Sequence, residues 1–309
     1  MNNKKIPASV LIFGANSHIG GPLAEFLHRE APKITLRLAT TKAENLENLH
    51  NLYPFAESVQ ANYMDKDSIE KAVKGMEGIF VVTTTGTDES TAMTNLSEAL
   101  IKEGKAVHVL RLTGLIPMSN PYMIPERMRK AGMAMAIQHI KAKEILDKSG
   151  LPVTYLNIGA TMMDNFFKMK RGIKEEHKLI WHNRKVPYID PLDIAEVAGR
   201  LLLSDNEKHI GIFHTINNGQ DNLRYDEVCQ IMSEIMETDI TYDDSYEAFE
   251  REYKDRFGPR LPMVWEMFEY EKANEEAWAL NDFAERILGR KPNSLRNWLS
   301  ANKDRLMKE

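Results

Sequence analysis

The residues best suited to chemistry form a glycine-rich turn near the start of the chain, with the spacing Gly14-x-x-Ser17-x-x-Gly20. The apolar run 10–13 before it predicts a buried β-strand, and residues 22–30 after it predict a helix. The free N–H groups and positive dipole end of such a helix suit a pyrophosphate. The spacing is close to a dinucleotide fingerprint, with Ser17 replacing the middle glycine. A turn between any buried strand and helix would look similar, so both interpretations stay open here.

The end of the second predicted strand, residues 34–39, is a candidate site for a 2′-phosphate. An NAD-specific protein usually has an acidic residue there, which holds the ribose hydroxyls. Here Thr41 and Lys42 follow the strand, and no acid occurs before Glu44. This favours NADP(H) over NAD(H), and His18 in the glycine turn would add positive charge when protonated. The alternative for Lys42 is a solvated loop lysine.

Strand-like and helix-like segments alternate well past residue 150. The predicted strands are residues 10–13, 34–39, 58–61, 79–84, 106–112 and 153–157. The predicted helices are residues 22–30, 42–53, 68–74, 91–103 and 133–149. This alternation predicts an α/β protein with a Rossmann-type, doubly wound parallel sheet.

Ligands of such sheets bind at the carboxyl ends of the strands. We therefore expect a nucleotide along the glycine turn and the next strand ends, at Gly14, Asn16, Ser17, His18, Ile19, Gly20, Thr41, Lys42, Asn62, Tyr63, Thr84 and Thr85. Thr113 ends the fifth predicted strand and is a candidate for substrate or nicotinamide contact. Its alternative is a threonine favoured by strand propensity alone.

The strict alternation is lost after about residue 160. We predict an NAD(P)-binding Rossmann domain over residues 1–160 and a smaller, mainly helical C-terminal substrate lobe over residues 161–309, interleaved with the first domain. The later region begins with a short β segment at 180–188, a helix at 191–203 and a strand at 211–216, and is mainly helical from residue 224. The Pro- and Met-rich loop 116–128 is predicted to be either a substrate lid or an irregular surface loop.

Composition narrows the function classes. The chain has 309 residues, 43% hydrophobic and 28% charged. Its net charge of −5 and pI of about 6.0 argue against a nucleic-acid surface. No apolar run approaches the ~20 residues of a membrane span, and no Cys/His cluster has metal-ligand spacing. The only cysteine, Cys229, cannot form a disulfide within the chain, so we expect a cytoplasmic protein without a metal site.

The order of motifs resembles the NmrA-like branch of the atypical short-chain dehydrogenase/reductases, close to NAD(P)H-dependent quinone and azo reductases and more distantly to isoflavone reductases. The resemblance covers essentially the whole chain and rests on the glycine turn and on residues 60–68, 107–113, 149–156 and 186–195. It implies that residues 60–68 border the adenine and that residues 186–195 follow the substrate pocket.

The chain departs from this family at the catalytic pair. Short-chain reductases normally carry a proton-donating tyrosine with a lysine four residues later. No tyrosine here has a lysine at that distance, and the resemblance aligns Met135 with the tyrosine and His139 with the lysine. His139 is therefore a candidate to hold the nicotinamide ribose or to shuttle a proton, with an unperturbed pKa near 6.5. The alternative is a packed or surface histidine.

A set of adaptable apolar side chains is predicted to line a pocket for a small apolar or aromatic substrate, since methionine fills irregular spaces. The set comprises Met118, Met123, Met162, Met163 and Phe166. For the methionines an ordinary core role is the alternative.

Two functions are consistent with these residues. The favoured one is an NAD(P)H-dependent reductase of a quinone, enone or imine, because such acceptors take hydride with only weak proton donation. The other is a non-catalytic NAD(P) sensor of the NmrA type, which the missing tyrosine–lysine pair supports. A sugar-nucleotide epimerase ranks last because it would want that pair. We expect a monomer or homodimer.

Overall fold

A computed structural model describes residues 3–84, 86–115, 125–130 and 135–308. These residues divide into two compact units. The first is drawn from Met1–Pro121, Arg129–Ile158 and Leu192–Thr215, and the second from Tyr122–Met128, Gly159–Pro191 and Ile216–Glu309.

Strands and helices alternate through the first half of the chain. The strands are β1 Ser9–Phe13, β2 Thr35–Thr40, β3 Glu57–Gln60, β4 Gly78–Val81, β5 His108–Thr113, β6 Val153–Ile158, β7 Thr161–Met162, β8 Lys178–Ile180, β9 Val186–Ile189, β10 Phe213–Ile216, β11 Asn222–Leu223 and β12 Thr241–Asp243. The α-helices are α1 Gly20–Glu30, α2 Leu46–Leu52, α3 Lys66–Val73, α4 Glu89–Glu103, α5 Glu126–Lys130, α6 Met135–Lys148, α7 Lys170–Glu176, α8 Pro191–Leu203, α9 Tyr225–Met236, α10 Tyr246–Phe257, α11 Leu261–Lys272, α12 Phe283–Leu288 and α13 Leu295–Met307.

The first unit is built on a parallel seven-stranded sheet in the order β10-β6-β5-β4-β1-β2-β3. The chain begins in β1, moves outward to β2 and β3, and then crosses to β4 on the other side of β1. This reversal next to β1 is the switch point where ligands of doubly wound sheets bind. The predicted fold class is confirmed.

Apolar residues on both faces of the strands explain the layers of this unit. Leu11 and Phe13 join a core cluster with residues of α3, α4 and α6, and the alternate residues Val10 and Ile12 are also fully buried. Helices α1 and α8 approach closely, because a Cβ on Gly199 would lie 2.3 Å from Cδ1 of Phe26. The continuous apolar run of β1 is thus that of a strand covered on both faces.

Several predicted elements differ from those observed. The fourth strand ends at Val81 instead of residue 84. Helix α4 starts at Glu89 instead of residue 91, because the Asp88 side chain accepts a hydrogen bond from the Ser90 N–H and caps the helix. The β segment predicted at 180–188 is two strands, β8 and β9, which pair with different partners. In the loop 116–128, residues 116–124 lie outside the described residues, and α5 begins at Glu126.

The second unit combines small sheets with helices. Strands β11, β9 and β7 form one sheet, and β12 and β8 form another. Its core is aromatic: Trp181 packs against Phe249, Tyr253 and Phe268 at centroid distances of 5.0–5.3 Å. Across both units, no described helix has the length and apolar character of a membrane span.

Candidate functional site

The glycine turn is built so that two of its positions have no room for a side chain. Gly14 has φ +69°, and a Cβ there would lie 2.6 Å from Cγ1 of Val82. A Cβ on Gly20 would lie 2.3 Å from the carbonyl oxygen of Gly14. The strand end, the turn and the first turn of α1 therefore pack backbone against backbone, which is the arrangement that lets a chain approach a pyrophosphate closely.

Ser17, at the position of the usual middle glycine, stabilises this turn. Its N–H donates to the carbonyl of Gly14 at 2.9 Å. Its hydroxyl accepts from the N–H of Gly20 at 3.1 Å and from that of Ile19 at 3.4 Å. The serine thus satisfies N–H groups at the start of α1 that otherwise lack intrahelical partners.

A cleft of about 750 Å³ lies at the carboxyl ends of β1 to β4. Nine of the predicted nucleotide-binding residues line it, namely Gly14, Asn16, Ser17, His18, Ile19, Thr41, Asn62, Tyr63 and Thr84. Thr40 at the end of β2, which the sequence also places at this edge, lines the cleft as well. The lining residues that the sequence did not single out are Phe13, Ala39, Asn45, Ala61, Met64, Val82, Thr83, Gly86, Thr87 and Asp88. They come from the same strand ends, so their positions along the strands are the signal that could have found them.

Some predicted nucleotide-binding residues are not among the described residues that line the cleft. Gly20 lies behind the turn, and Lys42 is 67% exposed, with its Nζ 3.3 Å from a Glu44 carboxylate oxygen. His139 is also absent from the lining. Thr85 lies outside the described residues. The roles of these residues stay predictions.

The segment predicted to border an adenine is held by its own hydrogen bonds. The Tyr63 ring stacks on Phe13 at a centroid distance of 4.6 Å, and its hydroxyl donates to the carbonyl of Val82 at 3.2 Å. Burial raises the pKa of the Tyr63 hydroxyl. The Asn62 side-chain oxygen accepts from the Met64 N–H at 3.0 Å. These contacts give the cleft a preformed wall and make Tyr63 unsuited to acid–base work at neutral pH.

The side chain of Thr113 is buried and is hydrogen-bonded to Asn157. It is 2% exposed, and its hydroxyl donates to the side-chain oxygen of Asn157 at 2.9 Å. The same Asn157 oxygen accepts from the Leu115 N–H at 2.7 Å, and its amide donates to Leu115 and Thr215. Asn157 thus ties together the ends of β5, β6 and β10. Substrate contact by Thr113 stays a prediction, with no cleft-lining position to support it.

A buried charge cluster that the sequence did not predict lies where β4, α4, β5 and α6 meet. The Nη2 of Arg111 lies 2.7 Å from a carboxylate oxygen of Glu89 and 3.0 Å from the hydroxyl oxygen of Thr83. The Thr83 hydroxyl also donates to Glu89. Nη2 further lies 3.3 Å from Nδ1 of His139. An arginine within an apolar strand is the signal that could have pointed to this cluster, since a buried charge requires a partner.

The structure corrects the pKa expected for His139. Burial, with a smaller contribution from the nearby Arg111 guanidinium, lowers the pKa of His139 to about 4. The imidazole is therefore neutral near pH 7, and the expectation of an ordinary pKa suited to proton shuttling is wrong.

Tyr155 and Lys143 come together in space, although not in the spacing of the catalytic pair. The Lys143 Nζ lies 4.8 Å from the Tyr155 ring centroid, and the Tyr155 hydroxyl donates to Asp147 at 2.7 Å. Burial and Asp147 raise the pKa of Tyr155, the opposite of what a proton donor needs. This neighbouring pair therefore does not substitute for the missing catalytic pair.

The predicted substrate residues fall into two groups. Met118 and Met123 lie outside the described residues. Met162 is half-buried in β7, whereas Met163 and Phe166 are at most 1% exposed, and the Phe166 ring stacks with Tyr188. That burial is typical of core side chains, and a pocket role for these residues stays a prediction.

Comparison with known proteins identifies the family. A family of NAD(P)H-binding domains matches residues 14–203, more than half of the chain. The chain belongs to this NAD(P)H-binding family. No curated protein matches it.

Solved structures share the fold of this NAD(P)H-binding protein. Triphenylmethane reductase from Citrobacter sp., complexed with NADP(H), has a TM-score of 0.77 at 17% identity, covering 95% of this chain and 99% of the other. The NADPH complex of an NADPH-dependent quinone oxidoreductase from Escherichia coli has a TM-score of 0.74 at 16% identity, covering 94% and 99%. A nucleoside-diphosphate-sugar epimerase from Staphylococcus aureus has a TM-score of 0.76 at 19% identity, also covering 94% and 99%. At such identities the likeness concerns the fold.

The cleft fits the nucleotide that the family binds. The close packing of Gly14 and Gly20 leaves the backbone of the turn accessible where side chains would otherwise project. Among the described lining residues the only carboxylate is that of Asp88, and the end of β2 contributes Thr40, Thr41 and Asn45. The described residues contain no group of three or more His, Cys, Asp or Glu side chains that could hold a metal ion.

Proposed function

We propose that this protein is an NAD(P)H-dependent reductase of a small conjugated acceptor, a quinone, an enone or an imine. The observation that carries the proposal is the 750 Å³ cleft at the switch point of a parallel sheet, in a chain of an NAD(P)H-binding family. When bound, the reduced nucleotide supplies a hydride. The chain's own residues bind it, orient it and adjust the charge around the acceptor.

NADPH is the proposed cofactor rather than NADH. The lining residues around the end of β2, including Thr41 and Asn45, bear no carboxylate that would repel a 2′-phosphate. His18 lines the same cleft, and Lys42 follows β2 with its ammonium in solvent. Hydroxyl, amide and cationic groups are suitable partners for that phosphate.

The acceptor class follows from the groups available for proton transfer. Neither His139, whose pKa lies at about 4, nor Tyr63 is a proton donor at neutral pH. A quinone or an enone becomes a delocalised anion on reduction and can take its proton from water, and an imine that enters as its protonated iminium ion becomes a neutral amine. The missing tyrosine–lysine pair is therefore compatible with reduction of such acceptors.

The alternative is an NAD(P) sensor without turnover, which the same missing pair favours. Both functions require the nucleotide to bind, so binding and turnover must be measured separately. We also propose a cytoplasmic, monomeric or homodimeric protein, which size-exclusion chromatography with light scattering would test for the oligomeric state.

The deciding experiment is a paired titration of the purified protein with NADPH and NADH, followed by NADPH oxidation with a panel of quinones, enones and imines. Tighter binding of NADPH together with turnover of any panel member supports the reductase. Tight binding without turnover would favour the sensor. Failure to bind either nucleotide would contradict both.

A further inference from the structure

We propose that Arg111, Glu89 and Thr83 are positioning residues that hold His139 as a neutral imidazole with its proton on Nε2. In this state His139 gives a hydrogen bond to the acceptor without transferring a proton. The inference rests on the proposed reductase function and specifies how the charge that develops on the acceptor is stabilised.

The tautomer follows from the chemistry of the partners. Arginine carries only donors, so the contact of 3.3 Å between its Nη2 and Nδ1 of His139 requires Nδ1 to accept. A neutral imidazole whose Nδ1 accepts carries its proton on Nε2. Because burial and Arg111 lower the pKa of His139 to about 4, this neutral form prevails near pH 7.

The position of Arg111 is itself determined by the groups around it. Glu89 and Thr83 hold its Nη2, and Arg111 and Glu89 are 0% and 2% exposed. Within the described residues, Nε of Arg111 and Oε2 of Glu89 have no hydrogen-bond partner. An incompletely satisfied buried ion pair is a poor source of stability, which favours a role in orienting a neighbour.

The other ring nitrogen of His139, Nε2, lies at the carboxyl end of β5. A Cβ built on Gly114 would lie 3.7 Å from Nε2, and the side chain of His139 is 13% exposed. Among the described residues, the charged groups that contact the ring are Arg111 on β5 and Glu89 on α4, whose carboxylate lies 3.6 Å from Nδ1. Both face Nδ1, so that among the described residues the Nε2–H is available to a ligand at the strand end.

The chemistry required of His139 is hydrogen bonding alone. On taking a hydride from NADPH, which leaves as NADP⁺, a quinone or enone becomes an oxyanion. The Nε2–H stabilises that oxyanion, and water then supplies the proton and leaves as hydroxide. A preorganised neutral donor of this kind stabilises the transition state where charge develops.

The tautomer is tested directly by NMR on the full-length protein with ¹⁵N-labelled histidine. We expect the spectrum at pH 7 to show His139 protonated on Nε2 only, with the signal assigned by its loss in His139→Gln. In the double variant Glu89→Gln, Arg111→Met the pKa of His139 should rise because the guanidinium is removed, and it should stay below the ordinary value of about 6.5 because the ring remains buried. A proton on Nδ1, or a doubly protonated ring, in the unaltered protein would overturn the inference without reference to activity.

The kinetic test compares two variants of His139. His139→Gln keeps an N–H donor and should lose less than about tenfold in kcat/KM, whereas His139→Leu should lose about 100-fold. The kcat/KM of the unaltered protein should be flat between pH 5.5 and 8. A limb near pH 6.5 that disappears in His139→Gln would identify a proton donor and overturn the inference. Absence of turnover with every acceptor would instead contradict the proposed function, while the NMR spectrum still decides the tautomer.

Discussion

Among individual residues, those that line the cleft differ from those that shape its surroundings. Ser17 does both, since it lines the cleft and its hydroxyl accepts from the Gly20 N–H. The hydroxyl of Thr113 donates its hydrogen bond to Asn157. Arg111 contacts the ring of His139 and is not among the residues that line the cleft. A residue's type and strand position thus indicate the neighbourhood of the site, and its contacts determine its role.

Lys42 provides a prediction at this scale. Lys42→Ala should weaken NADPH binding by less than about fivefold and leave NADH binding unchanged, because an exposed ion pair contributes at most ~1 kcal/mol. Isothermal titration with both nucleotides measures this. Glu44→Gln, which frees Lys42 from its neighbouring carboxylate, is the matched control and should not weaken binding. A 100-fold loss in Lys42→Ala would mean that the lysine is desolvated on the phosphate.

The secondary-structure elements determine where these residues meet. Strand β1, the glycine turn and α1 form one rigid connection because Gly14 and Gly20 touch through their backbones. Helix α4 begins at Glu89, earlier than its sequence pattern predicted, because Asp88 caps it. That early start brings the Glu89 carboxylate to Arg111 on β5. The charge cluster therefore depends on where a helix begins.

Gly20→Ala tests the connection between β1 and α1. The new Cβ would meet the Gly14 carbonyl oxygen at 2.3 Å, so the turn must open. We expect a loss of about 1–3 kcal/mol in the free energy of unfolding and at least a tenfold weaker binding of NADPH. Glu25→Ala, at an exposed position of α1, is the control and should leave both quantities unchanged. Equal NADPH affinity in Gly20→Ala and the unaltered protein would refute the proposed phosphate turn.

Buried histidines couple the stability of the whole molecule to pH. Burial lowers the pKa of His108 to about 3 and that of His139 to about 4, and it also lowers the pKa values of His182 and His209. In the unfolded chain these groups titrate near 6.5. Below that pH the unfolded state binds more protons than the folded state, so stability decreases as the pH falls.

We therefore expect the free energy of unfolding to fall between pH 6.5 and 4. The contribution of His108 should approach about 1.4 kcal/mol for each pH unit once the pH is well below 6.5, because the unfolded histidine is then protonated and the folded one, with a pKa of about 3, is not. Urea denaturation at pH 7, 6 and 5 measures the slope. His108→Gln keeps a polar side chain beside Thr154, its partner at 2.9 Å, and removes the titration. The same slope in this variant would show that His108 is not buried in its neutral form.

Several features of the fold and site could be predicted from sequence because their causes are local. The apolar run of β1, the glycine turn and the order of alternating segments indicated the parallel sheet, and helix α8 begins and ends as predicted. The predicted start of α4 was wrong because one residue, Asp88, caps the helix and so determines where it begins. The 180–188 segment was misread because its two ends pair with strands far apart in the chain.

The sequence by itself determined the fold class, the glycine turn between β1 and α1 and nine of the residues that line the cleft. These depend on backbone conformation and on the periodicity of apolar residues, which neighbouring residues dictate. Only the tertiary structure decided the protonation state of His139 and the partners of Arg111 and Thr113. Desolvation and charge interactions act through space between residues that are 22 to 44 positions apart in the sequence, so no local sequence pattern indicates them.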